Sequence, residues 1–245
     1  MESLQGKVAI VTGGGSGIGR GVALALAREG VRIVVCGRRG VKLDETVTAI
    51  RGMSNGEKFQ GALAFQADVS REEDVSRLVN TTLEAFGGLD ILVNNAGISE
   101  EVGFDRLAAA TWDRVMNVNL RGPFLTMRAV IPIMRETHSG HIINISSESG
   151  LNYYEGDSAY GTSKHALNDL GEYVQRENQG FNIRVNTICP GMVVSEMTEN
   201  SDGLDLAKCL YPEDIADLVI WLLSRRQNIK IGTPILIQTM LNPWE

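Results

Sequence analysis

Three histidines and three cysteines are all the imidazoles and thiols that this 245-residue chain could offer to a structural zinc site or a disulfide. Cys36, Cys189 and Cys209 stand far apart, with no C-x-x-C pair and none of the short spacings at which zinc ligands recur. The sequence therefore predicts no metal site and no disulfide framework, and its expected compartment is a reducing one, the cytoplasm. Long apolar runs are missing as well. None reaches the ~20 residues of a membrane span, and Met1-Glu-Ser-Leu-Gln-Gly-Lys7 has no apolar centre of the kind a signal peptide needs. Basic excess is also absent. Lys and Arg number 23 against 30 Asp and Glu, giving a formal charge of −7 and a pI near 5.1. That balance argues against nucleic acid or an anionic membrane as a partner. No internal repeat, low-complexity tract or linker divides the chain, so residues 1–245 are expected to form one domain.

What the chain does have is glycine, 27 of them, and an apolar content of 43% arranged in short β-branched runs. Residues 7–12 (K-V-A-I-V-T) read as a buried strand, followed by a glycine turn, a helix over 20–29 and a second strand over 31–36. Strand, turn, helix and strand within about thirty residues make a βαβ unit. The alternation continues with a helix over 40–53, a strand over 62–67, a helix over 71–86 and a strand over 89–94. A longer helical zone covers 111–137, interrupted at Gly122-Pro123 and carrying Pro132. A strand over 141–146, a helix over 158–178, a strand over 181–188, a helix over 213–225 and a strand over 233–238 complete the chain. Strands alternating with helices predict an α/β fold with a doubly wound parallel sheet, the Rossmann arrangement.

The turn after the first strand reads T-G-G-G-S-G-I-G over 12–19. Gly13 permits the tight turn, Gly17 lets backbone approach a pyrophosphate, and Gly19 lets the helix pack closely. The free N–H groups and positive dipole end of the helix suit phosphate, so Gly13, Gly15, Ser16, Gly17, Ile18 and Gly19 are candidate dinucleotide contacts. A carboxylate at the end of the second strand would hold ribose hydroxyls and favour NAD. Here the stretch is Cys36-Gly37-Arg38-Arg39. Arginine forks match a 2′-phosphate, which favours NADP(H) as cofactor, with Arg38 the nearer of the two to the strand. Two solvated surface arginines are the plainer alternative. Asp68, with the Val69 backbone beside it, could meet the adenine, or Asp68 or Ser70 could cap the helix that follows. Asn94-Asn95-Ala96-Gly97 could admit a ribose or form an ordinary turn.

The stretch Ser147–Lys164 carries the chemistry. A hydrophobic run ends at Ser146 and Ser147, and a helix from about Ser158 bears Tyr160 and Lys164, four apart on one face. An ammonium beside a phenol stabilises its anion, so Tyr160 is expected to titrate below the ordinary value of ~10 and to exchange a proton at working pH. A serine at the strand end could donate to the same substrate oxygen. Alone, Y-x-x-x-K is a weak signal.

Together and in this order, T-G-x-x-x-G-x-G at 12–19, Asp68, N-N-A-G at 94–97, Asn119, Ser147, Tyr160, Lys164 and Pro190-Gly191 resemble the short-chain dehydrogenase/reductase family in its compact single-domain form. The twelve residues between Ser147 and Tyr160 match the family's interval and select Ser147 over Ser146. The resemblance implies that Tyr160 is the general acid/base, that Lys164 tunes it and binds the nicotinamide ribose, and that Ser147 polarises the carbonyl. It implies that Asn119 holds a helix bend and a water leading from Lys164. Asn95, Ala96 and Gly97 would line the cofactor site, as would Pro190, Gly191, Val193 and Ser195 near the nicotinamide carboxamide. Ser195 stands where threonine is usual.

The resulting expectation is an NADP(H)-dependent oxidoreductase acting on a small or medium ketone, aldehyde or secondary alcohol. An NAD-dependent alcohol dehydrogenase of the same family, a nucleotide-binding regulator without chemistry, and an epimerase or dehydratase of the related longer chains are the alternatives. The resemblance further implies a homo-oligomer, tetramer or dimer. The apolar C-terminal tail, Trp244 included, would then be covered by a neighbour or by its own chain. That tail weakly resembles those of small-substrate aldehyde and hydroxy-acid reductases. Asn152, Tyr153 and Tyr154 could line a polar pocket or sit in an exposed loop.

Overall fold

The computed structural model describes residues 2–53, 61–199, 201 and 203–245. Seven parallel strands form one sheet. They are β1 (Val8–Thr12), β2 (Arg32–Gly37), β3 (Ala62–Gln66), β4 (Ile91–Asn94), β5 (Gly140–Ile145), β6 (Ile183–Pro190) and β7 (Ile235–Ile237), in the order β3-β2-β1-β4-β5-β6-β7. Every residue of β1, β4, β5 and β6 is buried, as strands covered on both faces must be.

The period of two divides the strands between two cores. Ala9, Val11, Ile33 and Val35 face one side and pack with residues of three helices, α1 (Gly17–Arg28), α2 (Gly40–Gly52) and α7 (Pro212–Leu223). Val8, Ile10, Val34, Leu92 and Ile142 face the other, against α3 (Glu72–Phe86), α5 (Gly122–Glu136) and α6 (Ser158–Asn178). Between β4 and α5 lies the shorter α4 (Ala109–Met116). The chain leaves β1 towards β2 on one side and returns to β4 on the other. The strand order thus reverses between β1 and β4, where such sheets leave a crevice beyond the carboxyl ends of their strands.

Three expectations need adjustment. The helical zone begins at Ala109 and is interrupted before Gly122, by a π-helical turn over Asn117–Arg121. Gly122 and Pro123 open α5 instead, where proline is tolerated in the first turn and where a Cβ on Gly122 would come within 2.9 Å of Val69 Cγ2. Neither Asp68 nor Ser70 caps α3. The capping position is Arg71, while Asp68 Oδ1 accepts from both the N–H and the hydroxyl of Ser70, at 2.9 and 2.6 Å. The last strand is shorter than expected because only Ile235–Ile237 pairs with β6.

Candidate active site

The crevice at the carboxyl ends of β1 and β4 is a cavity of about 320 Å³. The glycine turn forms its floor. Gly13 and Gly17 adopt φ of 65° and 50°, the left-handed region that glycine enters without strain. Close packing, which a Cβ would disrupt, explains two further glycines. A Cβ on Gly19 would lie 2.4 Å from both the Gly13 carbonyl and Asn95 Nδ2, and one on Gly14 would lie 2.8 Å from Val35 Cβ. Gly19 therefore packs against the turn and the Asn95 side chain.

Asn95 braces the turn. Its amide donates to the carbonyls of Thr12 and Gly13 at 3.0 and 3.3 Å, while Thr12 Oγ1 accepts from the N–H groups of Asn95 and Ala96. The ends of β1 and β4 are tied together by these bonds. The turn's open N–H groups and the small residues Gly13, Gly15, Gly17, Ala96 and Gly97 around the cavity form a cradle that fits a nicotinamide dinucleotide.

The adenosine end is basic at its rim. β2 ends at Gly37, which lines the cavity and offers no carboxylate, while Cys36 before it is buried with its thiol pushed up to about 12 by burial. Arg38 and Arg39 both line the cavity and both are exposed. Arg39 is already engaged, donating to Ser16 Oγ at 2.9 Å and pairing with Glu196 at 2.7 Å. Glu196 is held below the usual carboxylate range chiefly by that hydrogen bond.

Asp68 and Val69 line the cavity, as do Ser16, Ile18 and Ser195. Ser195 N–H also donates to Thr198 Oγ1 at 3.0 Å, which ties the loop after β6 to itself. Lys42, in the first turn of α2, Val118 and Glu196 also line the cavity and were not marked from the sequence, whereas Ser146, set aside there in favour of Ser147, does line it. Val118 and Glu196 adjoin the marked Asn119 and Ser195, which is the one signal that could have found those two.

Tyr160 and Lys164 line the opposite end of the same cavity. Lys164 is only 4% exposed; its Nζ donates to the Ile145 carbonyl at 2.9 Å and lies 5.4 Å from the centre of the Tyr160 ring. Burial lowers the ammonium to about 8. Here the structure departs from expectation. Burial raises the Tyr160 phenol to about 12, a hydrogen bond with Ser147 acts the other way, and the charge of Asp157 adds to the rise. Lys164 is too desolvated, and too committed to the Ile145 carbonyl, to depress it. At neutral pH the Tyr160 phenol therefore keeps its proton.

Asn119 is 1% exposed in the π-helical turn. Its side chain accepts from the Ile98 N–H and donates to the Ile98 carbonyl, each at 2.9 Å, and donates to Ser163 Oγ at 3.0 Å. Ser163 Oγ in turn donates to the Tyr160 carbonyl at 2.6 Å. Asn119 thus clamps the loop after β4 to the helix that carries Tyr160. A Cβ on Gly97 would be 3.5 Å from its Oδ1 and 3.6 Å from Lys164 Nζ, so glycine there leaves space open beside the ammonium.

Ser147 and Asn119 do not line the cavity itself; nor do Gly19, Pro190, Gly191 and Val193. Ser147 lies on the far side of Tyr160, where Oγ accepts from the Ser149 N–H at 3.1 Å. Pro190 ends β6, Gly191 N–H donates to the Ile237 carbonyl at 2.8 Å, and Val193 is buried and bridges to Leu210. These residues set the course of the chain under Ser195, Glu196 and Met197. Tyr153 and Tyr154 are exposed, with Tyr153 stacked on His165. Among the described residues no cluster of metal-ligating side chains occurs, and no helix is long and apolar enough to cross a membrane.

The profile of the short chain dehydrogenase family matches residues 7–203. An uncharacterized oxidoreductase of Staphylococcus saprophyticus is 35% identical over 233 residues, covering 95% of this chain and 97% of the relative. Among solved structures, a short-chain type dehydrogenase/reductase from Mycobacterium marinum superposes with a TM-score of 0.88 at 31% identity, covering 96% of this chain and 95% of that one. A levodione reductase gives 0.84 at 33% identity, over 90% and 91% of the two chains. A 3-ketoacyl-(acyl-carrier-protein) reductase from Brucella melitensis, complexed with NADH, gives 0.87 at 28% identity, over 96% and 98%.

Proposed function

Because the chain belongs to the short-chain dehydrogenase family, and is an oxidoreductase that uses a nicotinamide cofactor, we propose that it is an NADP(H)-dependent enzyme reducing a small or medium ketone or aldehyde, or oxidising the matching alcohol. The observation that carries this reading is one cavity with a glycine cradle and two arginines at one end and Tyr160 with Lys164 at the other.

The nicotinamide, when bound, supplies or takes the hydride. The protein's part is position and proton. Ser147, close enough to Tyr160 to oppose the rise of its phenol, orients the substrate oxygen. Tyr160, protonated at neutral pH, gives its proton to that oxygen during reduction and regains it from solvent. Lys164 keeps a donor beside the ring, and Asn119 fixes the helix that carries both. Arg38, exposed and without the side-chain partner that Arg39 has, serves the 2′-phosphate. The NAD-dependent alternative draws on Arg39, which Glu196 holds, and on the NADH carried by the Brucella relative. Exposed Met240, Leu241 and Trp244 support a homo-oligomer that covers the tail, since its own chain does not.

Titrating the protein with NADPH and NADH, read by reduced-cofactor fluorescence, tests the reading. NADPH is expected to bind about tenfold or more tightly, and Arg38→Ala to remove most of that preference. Equal binding, or tighter NADH, would assign both arginines to solvent and the enzyme to NAD. No binding of either would end the oxidoreductase reading of this site.

A further inference from the structure

The basic rim of the cofactor cavity is bridged by an ion pair. Arg39, just before α2, and Glu196, on the loop after β6, both line the cavity, and their side chains meet at 2.7 Å. The Arg39 guanidinium also donates to the hydroxyl of Ser16, the residue that precedes α1, at 2.9 Å. Three segments far apart in sequence are thus joined at the adenosine end: the glycine turn, the end of β2 and the loop after β6.

Glu196 is presented there by a loop that bonds to itself. Thr198 Oγ1 accepts from the Ser195 N–H at 3.0 Å and donates to the Val193 carbonyl at 2.6 Å. The N–H groups of Thr198 and Glu199 both donate to the Ser195 carbonyl, at 3.0 and 2.9 Å. The stem is pinned where Val194 N–H meets the Leu210 carbonyl and Leu210 N–H meets the Met192 carbonyl, each at 2.8 Å. A Cβ on Gly17 would lie 3.3 Å from Ser195 Cβ, so the loop rests on the glycine turn.

The other cations at this end do not share the arrangement. Lys42 pairs with Glu45 on its own helix at 3.2 Å, and Arg38 has no side-chain partner among the described residues. The Glu196 carboxylate therefore sits on a guanidinium and beside a hydroxyl, the donors that a phosphate dianion would take. It is loosely held. The two side chains are 57% and 43% exposed, and ion pairs so exposed are weak. A phosphate that accepts two N–H donors from one guanidinium is the stronger ligand and displaces it.

We propose that Glu196 is a cofactor-specificity residue, a carboxylate that holds Arg39 in the place of the adenosine 2′-phosphate and gives it up when NADP(H) binds. NADPH then gains a second guanidinium beside Arg38 but loses the ion pair, whereas NADH leaves the pair intact. Glu196 thereby narrows the preference that Arg38 confers. The inference rests on the reading of Arg38 as a 2′-phosphate ligand.

Dissociation constants of NADPH and NADH, read by reduced-cofactor fluorescence, are compared for the natural chain, Glu196→Gln, Arg39→Ala and the double variant. Glu196→Gln is expected to tighten NADPH about three- to fivefold and to leave NADH within about twofold. In the Arg39→Ala background the same substitution should move neither cofactor by more than about twofold. Glu196→Asp, which keeps the charge on a shorter arm, should fall between Glu196→Gln and the natural chain.

A gain for NADPH that persists without Arg39 would make Glu196 a general negative charge at the rim. An equal gain for both cofactors would place the competition at the pyrophosphate they share. Weaker binding of both in Glu196→Gln would make the pair a clasp that retains cofactor. Each of these results, or unchanged affinities, would overturn the inference. Failure of the underlying reading has a different signature: Arg38→Ala would leave the NADPH-to-NADH ratio of the natural chain unchanged, whatever Glu196→Gln does.

Discussion

Tyr160 is the residue on which direction and pH dependence turn. Its folded value near 12 means that at neutral pH the phenol holds its proton and little phenolate is present to accept one. Reduction is expected to hold its rate up to alkaline pH. Oxidation, which needs the phenolate, is expected to climb with pH over the same range, and parallel kcat/KM profiles in the two directions would check this. Tyr160→Phe is expected to lower kcat by about 100-fold or more while leaving reduced-cofactor binding within about twofold, measured by fluorescence titration. Spacing placed Tyr160 and Lys164 on one helical face, while Ser147 and Asn119 were marked only through the resemblance to the family. The sign of the Tyr160 shift was not, because a Y-x-x-x-K interval reports neighbours along a helix and says nothing of the burial that outweighs them. The Asn119 bonds to Ile98 were equally hidden, since they join residues from different elements.

At the scale of elements, the turn between β1 and α1 depends on contacts that leave no room for a methyl group. Gly19→Ala would drive a Cβ to 2.4 Å from the Gly13 carbonyl. It is expected to lower thermal stability and to weaken cofactor binding together. Gly52→Ala at the end of α2, where a Cβ would meet nothing within 4 Å, should be neutral or slightly stabilising by the same calorimetry. Asn119→Leu removes two bonds to Ile98 and one to Ser163, and is expected to cost about 1–3 kcal/mol in chemical denaturation. Both strands and helices of the βαβ units were readable from their periodicity. The π-helical turn was not. Periodicity marked only Gly122-Pro123 as an interruption, whereas the family resemblance implied a bend at Asn119, and it is there, where Asn119 bonds to Ile98, that the turn occurs.

For the whole molecule, the sheet has a second end. At the amino edges of β5 and β6, His141 is 4% exposed, its Nε2 is 2.8 Å from Asn186 Oδ1, and burial together with the charge of Arg184 lowers it to about 3. The unfolded chain would protonate this histidine near 6.5, so from there down to about 3 the unfolded state binds the extra proton and the fold loses stability as pH falls. Each pH unit within that window is expected to cost roughly tenfold in the folding equilibrium for this one group. Urea midpoints from pH 7 to 4 for the natural chain and for His141→Asn would isolate its share; a variant with the same slope would remove His141 from the account. Conversely, saturating cofactor near neutral pH should raise the melting temperature, by the amount that about 2.7 kcal/mol supplies at a hundredfold excess over Kd. The alternation of strand and helix segments foresaw the parallel sheet, but the two ends of that sheet, one chemical and one acid-sensitive, follow from register, which that alternation does not hold.

The brace on the glycine turn also bears on how the chain comes off the ribosome. The Gly13–Gly19 loop is made well before β4, yet Thr12 and Gly13 are held by Asn95 and Ala96. Its helix meets Pro212 at Gly21, where a Cβ would lie 3.0 Å from the proline ring. The nucleotide cradle thus waits for β4 to be synthesised before its loop is tied, and for α7 before its helix is covered. A nascent chain halted short of residue 212 exposes the apolar side of α1 to solvent and to chaperones, and cofactor can act as a folding partner only once α7 has been made.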